Sequence, residues 1–264
     1  MIHVMGQKLD LSGWAQTRRS VLGGLAGSAV VGFGAPVFGA DVANSSNVVR
    51  AVEATYDMTV ISTGEIFGHE HWSLFVHPDG SRTASVRMIN NQYDLFRTIV
   101  HRVDAQFRPI ECQLLYYRGG KKMGSAWFQV DGGMLHAEAN LLTGRLKHAV
   151  AVPEHFSMVN HAAAVEGWHF WYCPKDNAPH QATLYNLRVN ATSSEGVLGR
   201  VHNRTIQYLG TEDKVTPAGT FASDHYAFGD PSRIWVHGED RMPVHLRFEA
   251  ADTEFVLSKW QPQT

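Results

Sequence analysis

Hydrophobic residues recur at every second position along much of this chain after residue 50. Trp72, Leu74 and Val76, for example, alternate with more polar neighbours. The His-Pro-Asp-Gly sequence at 77–80 then predicts a turn, because proline presets φ and glycine accepts a positive φ. Successive side chains of a strand face opposite sides, so the pattern predicts half-buried antiparallel strands. We expect roughly eleven or twelve strands at the ~8–12-residue spacing that is typical of all-β sandwiches and barrels.

Helical periodicity is scarce. The best candidate lies near 153–167, where Met158, His161 and Val165 recur at helical spacing. No strand–helix–strand repeat is present, which argues against a parallel doubly wound sheet. The sequence therefore predicts an all-β, mainly antiparallel fold over 51–264, with a strongly curved sheet or open barrel and one short helix. The concave side of such a sheet can hold an apolar ligand.

The first forty residues have the pattern of a targeting segment. Arg18 and Arg19 precede an uncharged stretch, 21–40, that is rich in Gly and Ala and ends in small residues. This segment resembles a twin-arginine export signal, which implies recognition by the export translocase and a periplasmic or secreted protein. The alternative is a transmembrane anchor, although the stretch is only weakly apolar. We expect 1–40 to be a cleaved signal that leaves no stable membrane anchor, and 41–50 to be a flexible leader.

Charge and cysteine content exclude several classes of protein. The formal net charge is −2, whereas a nucleic-acid-binding protein needs a basic surface. The two cysteines, Cys112 and Cys173, cannot form a disulfide framework or a four-thiolate zinc site. Export would allow them to pair, and the alternative is two buried free thiols. No dinucleotide or Walker fingerprint is present, so no cofactor is expected.

Short sequence segments in the body of the chain carry a second resemblance. These segments lie at 64–68 (Gly-Glu-Ile-Phe-Gly), 108–110 (Arg-Pro-Ile), 234–237 (Ile-Trp-Val-His) and 241–244 (Arg-Met-Pro-Val). They resemble exported bacterial families of unknown function over about 50–260. The resemblance implies a curved sheet or spiral β-barrel similar to that of periplasmic lipoprotein carriers. It implies no catalytic residues.

Histidine is abundant, with 15 among 264 residues. His69 and His71 are two apart, so in a strand they face the same side. We expect them to contact a ligand. A metal at His69 and His71 is a less favoured alternative, because the cupin-like pattern lacks its following Glu. Two half-buried histidines that bond to their neighbours are the other alternative.

A second group combines imidazoles with acidic and phenolic side chains. His225 and His237 are candidate general bases, because a nearby carboxylate fixes the tautomer of an imidazole and raises its basicity. Asp240, or Glu239, is the carboxylate expected to pair with His225 across a hairpin. Tyr226 could polarise a substrate oxygen. The predicted catalytic set is therefore His225, His237, Tyr226 and Asp240. The alternative for the acidic pair is an ordinary salt bridge at a turn.

A third group, Trp168, His169 and Trp171, is aromatic. Such residues supply a large apolar area with one polar group each, so they are predicted to form a pocket wall. Burial in the core is the alternative role for them.

Two functions from different classes fit these features. The first is cofactor-independent acid–base chemistry, of lyase or isomerase type, on an apolar and preferably aromatic small molecule. The second is a non-catalytic periplasmic carrier of lipid or lipoprotein, or an envelope-homeostasis protein. The orientation of the histidines separates them. Three or more histidines at one cavity would favour an enzyme, and histidines spread over the outer surface would favour a carrier.

Overall fold

One continuous sheet contains all fifteen strands of the residues that the computed structural model describes, which are 48–188, 197–229 and 231–263. The expected signal at 1–40 and the expected leader up to residue 47 lie outside these residues. The strands are β1 (Arg50–Val60), β2 (Ile66–Val76), β3 (Arg82–Asn90), β4 (Leu95–Val103), β5 (Pro109–Arg118), β6 (Lys121–Asp131), β7 (Met134–Leu141), β8 (Gly144–Ala151), β9 (Ser157–Val159), β10 (Pro179–Leu187), β11 (Gly199–Thr216), β12 (Gly219–Phe228), β13 (Ser232–His237), β14 (Met242–Phe248) and β15 (Thr253–Gln263).

The strand order across the sheet is β8-β7-β6-β5-β4-β3-β2-β1-β15-β14-β13-β12-β11-β10-β9. The first and last strands therefore pair in the middle, and β8 and β9 form the two edges. Every described pair is antiparallel except β9 with β10. The expected all-β, mainly antiparallel fold is confirmed, and β8 and β9 do not pair to close the barrel.

The sheet has more strands than the sequence pattern predicts. Strand β8 is exposed along almost its whole length, so it carries no apolar alternation. Strand β9 has only three residues. Strand β4 does alternate in burial, but two of its five buried positions are Arg97 and His101. None of these three strands therefore has the alternation of apolar residues by which a strand is predicted from sequence.

The helical segment begins later than its sequence periodicity indicates. The 3-10 helix at Ala163–Phe170, called the central helix below, is preceded by β9 within the segment expected to be helical. Asn160 stabilises the segment just before the helix, because its Oδ1 accepts a hydrogen bond from the Ala162 amide at 3.1 Å. A second, three-residue 3-10 turn lies at Glu249–Ala251. None of the described helices has the length and hydropathy required to cross a membrane.

The two halves of the sheet meet through their inner faces. Phe128 of β6 packs edge-on against Tyr185 of β10, with ring centroids 5.8 Å apart. The central helix lies between the halves and contacts β3 on one side and β13 and β14 on the other. Cys112 and Cys173 are both buried free thiols.

Candidate functional site

A cavity of about 560 Å³ lies beside the start of the central helix. Gln92, Tyr93 and Ala251 line it and are themselves exposed, so they mark its mouth. The mouth is thus formed by the turn between β3 and β4 and by the turn before β15. The remaining wall residues are Met58, Phe67, Met88, Asn90, Leu95, Arg97, His161, Ala163, Glu166, Arg204, Leu246, Phe248, Thr253 and Phe255. The wall is mainly apolar, with a few ionisable groups, which is the usual composition of a small-molecule site.

Glu70 is fully buried close to this cavity. It belongs to β2, and its carboxylate accepts hydrogen bonds from the amides of Ala163 at 3.0 Å and Ala164 at 2.8 Å. These amides begin the central helix, where backbone N–H groups have no partner within the helix. Glu70 therefore joins β2 to the start of the helix, 93 residues further along the chain.

Burial raises the pKa of Glu70 to about 8. The two amide hydrogen bonds and the positive charge of Arg97 act in the opposite direction, and the nearby Glu166 adds to the rise. Removing a carboxylate from water therefore outweighs two hydrogen bonds to its charged form. Near neutral pH, Glu70 is a protonated acid inside the protein.

Glu166 and His169 form a buried acid–base pair. The Glu166 Oε2 lies 3.2 Å from the His169 Nε2, and both side chains are almost fully buried. Burial alone would raise the pKa of Glu166, but the electrostatic attraction and hydrogen bond of His169, followed by the electrostatic effects of its other neighbours, including Arg204, lower it below its ordinary value. Glu166 thus carries a negative charge at the cavity wall.

His161 reaches the cavity from the segment before the central helix. It has a left-handed backbone, with φ of 61°, and its Nε2 bonds to the Leu187 carbonyl at 2.8 Å. Burial, followed by the charge of Arg97, lowers the pKa of His161 to about 4. The imidazole is therefore neutral at pH 7 and donates its Nε2–H to that carbonyl.

Two arginines border the same cavity. Arg97 of β4 is only 5% exposed, and Arg204 of β11 lies over the Phe228 ring, with its guanidinium carbon 4.2 Å from the centroid. Burial lowers the pKa of both side chains. Arg97 is level with Glu70 in the sheet, because both pair with Met88 from opposite sides. Their backbones are therefore two strand spacings apart, roughly 10 Å, and among the described residues their side chains form no salt bridge.

The predicted pair His69 and His71 shares a face of β2, but this is the face opposite Glu70. His69 Nδ1 lies 2.9 Å from the Asp57 carboxylate, and His71 Nδ1 lies 3.1 Å from the Thr55 hydroxyl. The two rings stack at 6.2 Å. Neither residue lines the cavity. The described residues contain no cluster of three His, Cys, Asp or Glu side chains that could hold a metal ion.

The predicted catalytic residues do not come together. His225 stacks on Trp235 at 4.4 Å, and its Nδ1 lies 3.3 Å from Glu212. Tyr226 faces the other way, into the core, where it stacks on Phe170 at 4.3 Å. Burial raises the pKa of the Tyr226 hydroxyl to about 12.

His237 and Asp240 have other partners. His237 Nδ1 lies 2.7 Å from the Ala222 carbonyl. Asp240 binds the guanidinium groups of Arg50 at 2.7 Å and Arg82 at 2.9 Å, and Glu239 also pairs with Arg50. The expected pairing of Asp240 or Glu239 with His225 is therefore wrong, because both carboxylates face arginines instead.

The third predicted group lies at the end of the central helix, but its three side chains have different surroundings. Trp168 is buried and donates its indole N–H to the Asp240 carbonyl at 3.0 Å. His169 is buried beside Glu166 and stacks on Phe228 at 5.5 Å. Trp171 packs against Tyr172 at 4.8 Å. None of the three is among the residues that line the cavity, and His169 reaches it only through Glu166.

The sequence predictions for the site do not include Glu70, Arg97, Glu166 or Arg204. A signal for Glu70 is present, because the alternation of Trp72 and Leu74 continues back to it and places a carboxyl on the buried face of β2. The others have no such signal, since their positions depend on contacts between distant segments.

Comparison with known proteins shows likeness in fold. No family model and no curated protein matches the chain. A crystal structure of a β-barrel-like protein of the domain of unknown function DUF1849, from Brucella abortus, is similar with a TM-score of 0.51 and 11% identity, covering 83% of this chain and 99% of that chain. A DUF1089 family protein from Pseudomonas aeruginosa has a TM-score of 0.43 and 11% identity, covering 66% and 87%. The likeness to the DUF1849 structure thus supports a β-barrel-like fold for this chain, in agreement with the architecture that its short segments imply.

Proposed function

We propose that this protein is an exported carrier that shelters an apolar, preferably aromatic, small molecule in the cavity beside the central helix. The observation that carries the proposal is the cavity itself, whose volume of about 560 Å³ lies within the ~300–1,000 Å³ range of small-molecule sites. The location, periplasmic or secreted after twin-arginine export, is part of the proposal.

The positions of the histidines favour a carrier over a histidine-based enzyme. His69, His71, His225 and His237 do not line the cavity, and their ring nitrogens face the Asp57 carboxylate, the Thr55 hydroxyl, the Glu212 carboxylate and the Ala222 carbonyl respectively. Of the five histidines expected at the site, only His169 lies near it, through Glu166, whereas the cavity-lining His161 was not among them. A histidine-based reaction in this cavity would therefore have only one of the five histidines that were expected to take part.

Two neighbouring alanines give a matched test of the proposal. Ala250 and Ala251 are both exposed in the same 3-10 turn, but only Ala251 lines the cavity. The measurement is the fluorescence titration of the full chain with the uncharged dye N-phenyl-1-naphthylamine. Ala251→Trp should weaken binding at least ~10-fold by narrowing the mouth, and Ala250→Trp should leave it unchanged. Equal binding by both variants, or no saturable binding, would refute the proposal.

Export needs a separate test. We expect the full chain, expressed in a bacterium with a twin-arginine translocase, to appear in the periplasmic fraction in a shortened form. Changing Arg18 and Arg19 together to Lys should retain it in the cytoplasm at full length. If the wild type and the double variant give the same fractionation result, export is removed from the proposal. The proposed binding in the cavity would not be affected.

A second candidate is lyase or isomerase chemistry in the same cavity. The observation that favours it is the Glu166–His169 pair at 3.2 Å, together with the protonated Glu70 near the same wall. Proton transfer needs an acid and a base held within reach of one substrate. Mass spectrometry of molecules that co-purify with the full chain, before and after incubation, distinguishes the two candidates. A ligand converted by the wild type but not by Glu166→Gln would indicate an enzyme, and an unchanged ligand would indicate a carrier.

A further inference from the structure

The ionisable groups of the cavity include cations that the fold does not neutralise by direct contact. Among the described residues, the Arg97 guanidinium makes no ion pair and no hydrogen bond; its carbon lies 5.4 Å from the centroid of the Tyr116 ring, and its charge acts on Glu70 only without direct contact. An arginine that is 5% exposed loses most of its contact with water. A buried charge without a partner strongly destabilises a protein.

Arg204 adds a second cation with spare hydrogen-bond donors. Its guanidinium has five N–H groups, and its one hydrogen bond among the described residues is a long one, of 3.4 Å, to the Ser232 hydroxyl. Its guanidinium plane also lies over the Phe228 ring, which supports its position without using the N–H groups. Arg97 and Arg204 therefore both bring free donors to one cavity.

The carboxylates nearby do not cancel these charges. Glu70 is protonated near neutral pH, and Glu166 lies beside His169. The neutral His161 contributes no charge. The cavity is therefore positive, with Arg97 and Arg204 against the one carboxylate of Glu166.

The rest of the wall is mainly apolar. It includes Met58, Phe67, Met88, Leu95, Leu246 and Phe255. A positive group in a mainly apolar cavity matches a molecule with an anionic head and an apolar tail, because a guanidinium binds carboxylate or phosphate oxygens through two parallel hydrogen bonds.

We propose that the cavity binds an anionic amphiphile, whose single carboxylate or phosphate head contacts Arg97 and Arg204 and whose apolar tail lies against the methionine, leucine and phenylalanine side chains. This inference rests on the proposed carrier function and names the class of its ligand. The head supplies the counter-charge that Arg97 lacks, and the tail supplies apolar contact.

The test is displacement of N-phenyl-1-naphthylamine from the full chain at pH 7 by three probes that share one tail: dodecanoate, dodecyl phosphate and 1-dodecanol. We expect at least one of the anions to displace the dye at a concentration about 10- to 100-fold lower than the alcohol, the effect of one or two charged hydrogen bonds. The order of the two anions identifies the head group.

Variants of the two arginines locate the effect. Arg97→Met should remove the preference for the anion and leave 1-dodecanol within ~2-fold of the wild type, while Arg97→Lys should keep part of the preference. Arg87→Met is the matched control, because Arg87 is exposed on the neighbouring strand β3 and does not line the cavity. If Arg97→Met does not fold, Arg204→Met provides the same comparison.

The outcomes separate this inference from the proposed function. Equal displacement by dodecanoate, dodecyl phosphate and 1-dodecanol, unchanged in Arg97→Met and Arg204→Met, would overturn the anionic head and leave the apolar carrier in place. Saturable dye binding with no displacement by any of the three would overturn the amphiphile. The absence of saturable dye binding would overturn both.

Discussion

Replacing Glu70 with glutamine should remove the pH dependence of stability that this buried carboxyl causes. The Glu70 carboxyl has a pKa of about 8 in the folded protein, against an ordinary value of 4.5. Between these two pH values the unfolded chain releases the proton and the folded chain keeps it. The wild type therefore loses stability as pH rises from about 4.5 to about 8, and the loss from this group ends above pH 8.

The size of the effect follows from the pKa difference. Each pKa unit corresponds to 1.36 kcal/mol, so Glu70 lowers the free energy of unfolding by about 5 kcal/mol between pH 4.5 and pH 8. The glutamine side chain of the Glu70→Gln variant does not ionise, but its amide has one acceptor oxygen for the two N–H groups of Ala163 and Ala164. Leaving one of them without an acceptor costs about 1–3 kcal/mol at every pH. Glu70→Gln should therefore be less stable than the wild type at pH 5 and more stable at pH 8.

Urea denaturation of both proteins at pH 5, 6, 7, 8 and 9 measures this crossing. The difference between the two free energies of unfolding should change by about 1.4 kcal/mol for each pH unit up to pH 8. His101 and His161 also titrate on unfolding, because burial lowers the pKa of His101 to about 3 and of His161 to about 4. Their effect is present in both proteins and cancels in the difference. Glu53→Gln, at an exposed position of β1, is the control and should give a curve parallel to the wild type.

A pH-independent difference between Glu70→Gln and the wild type would refute this reasoning. It would mean that the two amide hydrogen bonds and Arg97 compensate fully for the burial of the carboxylate. A difference of the opposite sign, with the wild type gaining stability toward pH 8, would show that Glu70 is held as a carboxylate.

Three other substitutions or reagents test separate contacts. Trp168→Phe removes the 3.0 Å hydrogen bond from the indole N–H to the Asp240 carbonyl and should lower the free energy of unfolding by about 1 kcal/mol in urea denaturation. Asp240→Asn leaves the nearly buried Arg82 without a charged partner and should cost about 2–4 kcal/mol in the same assay, with little recovery in high salt. Burial raises the pKa of the Cys112 thiol to about 12 and of the Cys173 thiol to about 11, so a thiol-specific chromogenic reagent at pH 7 should react with both only in urea. Rapid reaction of the folded protein, or the absence of reaction in urea, would contradict the buried free thiols.

The sequence predicts the fold well where one face of each strand is apolar. Alternation in β2 correctly separates Trp72 and Leu74 from the exposed face that carries His69 and His71. The same rule, applied to the residue between the two histidines, places Glu70 on the buried face. The two histidines directed the functional prediction to the outer face, whereas the carboxyl between them lies inside, bonded to the helix start that borders the cavity.

The rest of the site depends on long-range contacts that local patterns do not contain. Arg97 and His101 occupy inner positions of β4, so this strand lacks the apolar alternation that would identify it. The start of the central helix is fixed by Glu70, which bonds to amides 93 and 94 residues away. The periodicity within 153–167 contains no information about Glu70. It therefore does not predict that the helix begins at Ala163.

Charged side chains have different partners on the two faces of the sheet, and this difference is relevant to function. On the outer face, histidines lie beside carboxylates, as His69 does with Asp57 and His180 with Asp176. Exposed pairs of this kind contribute about 0–1 kcal/mol and need no ligand to explain them. Inside, Arg97 lowers stability because it is buried without an ion pair among the described residues, and an apolar side chain of similar size would avoid that cost. Packing alone gives no reason for an arginine at this position, whereas binding an anion does. Four of the five histidines expected at the site, His69, His71, His225 and His237, thus lie away from the cavity, and the site is better sought around the interior arginines and glutamates.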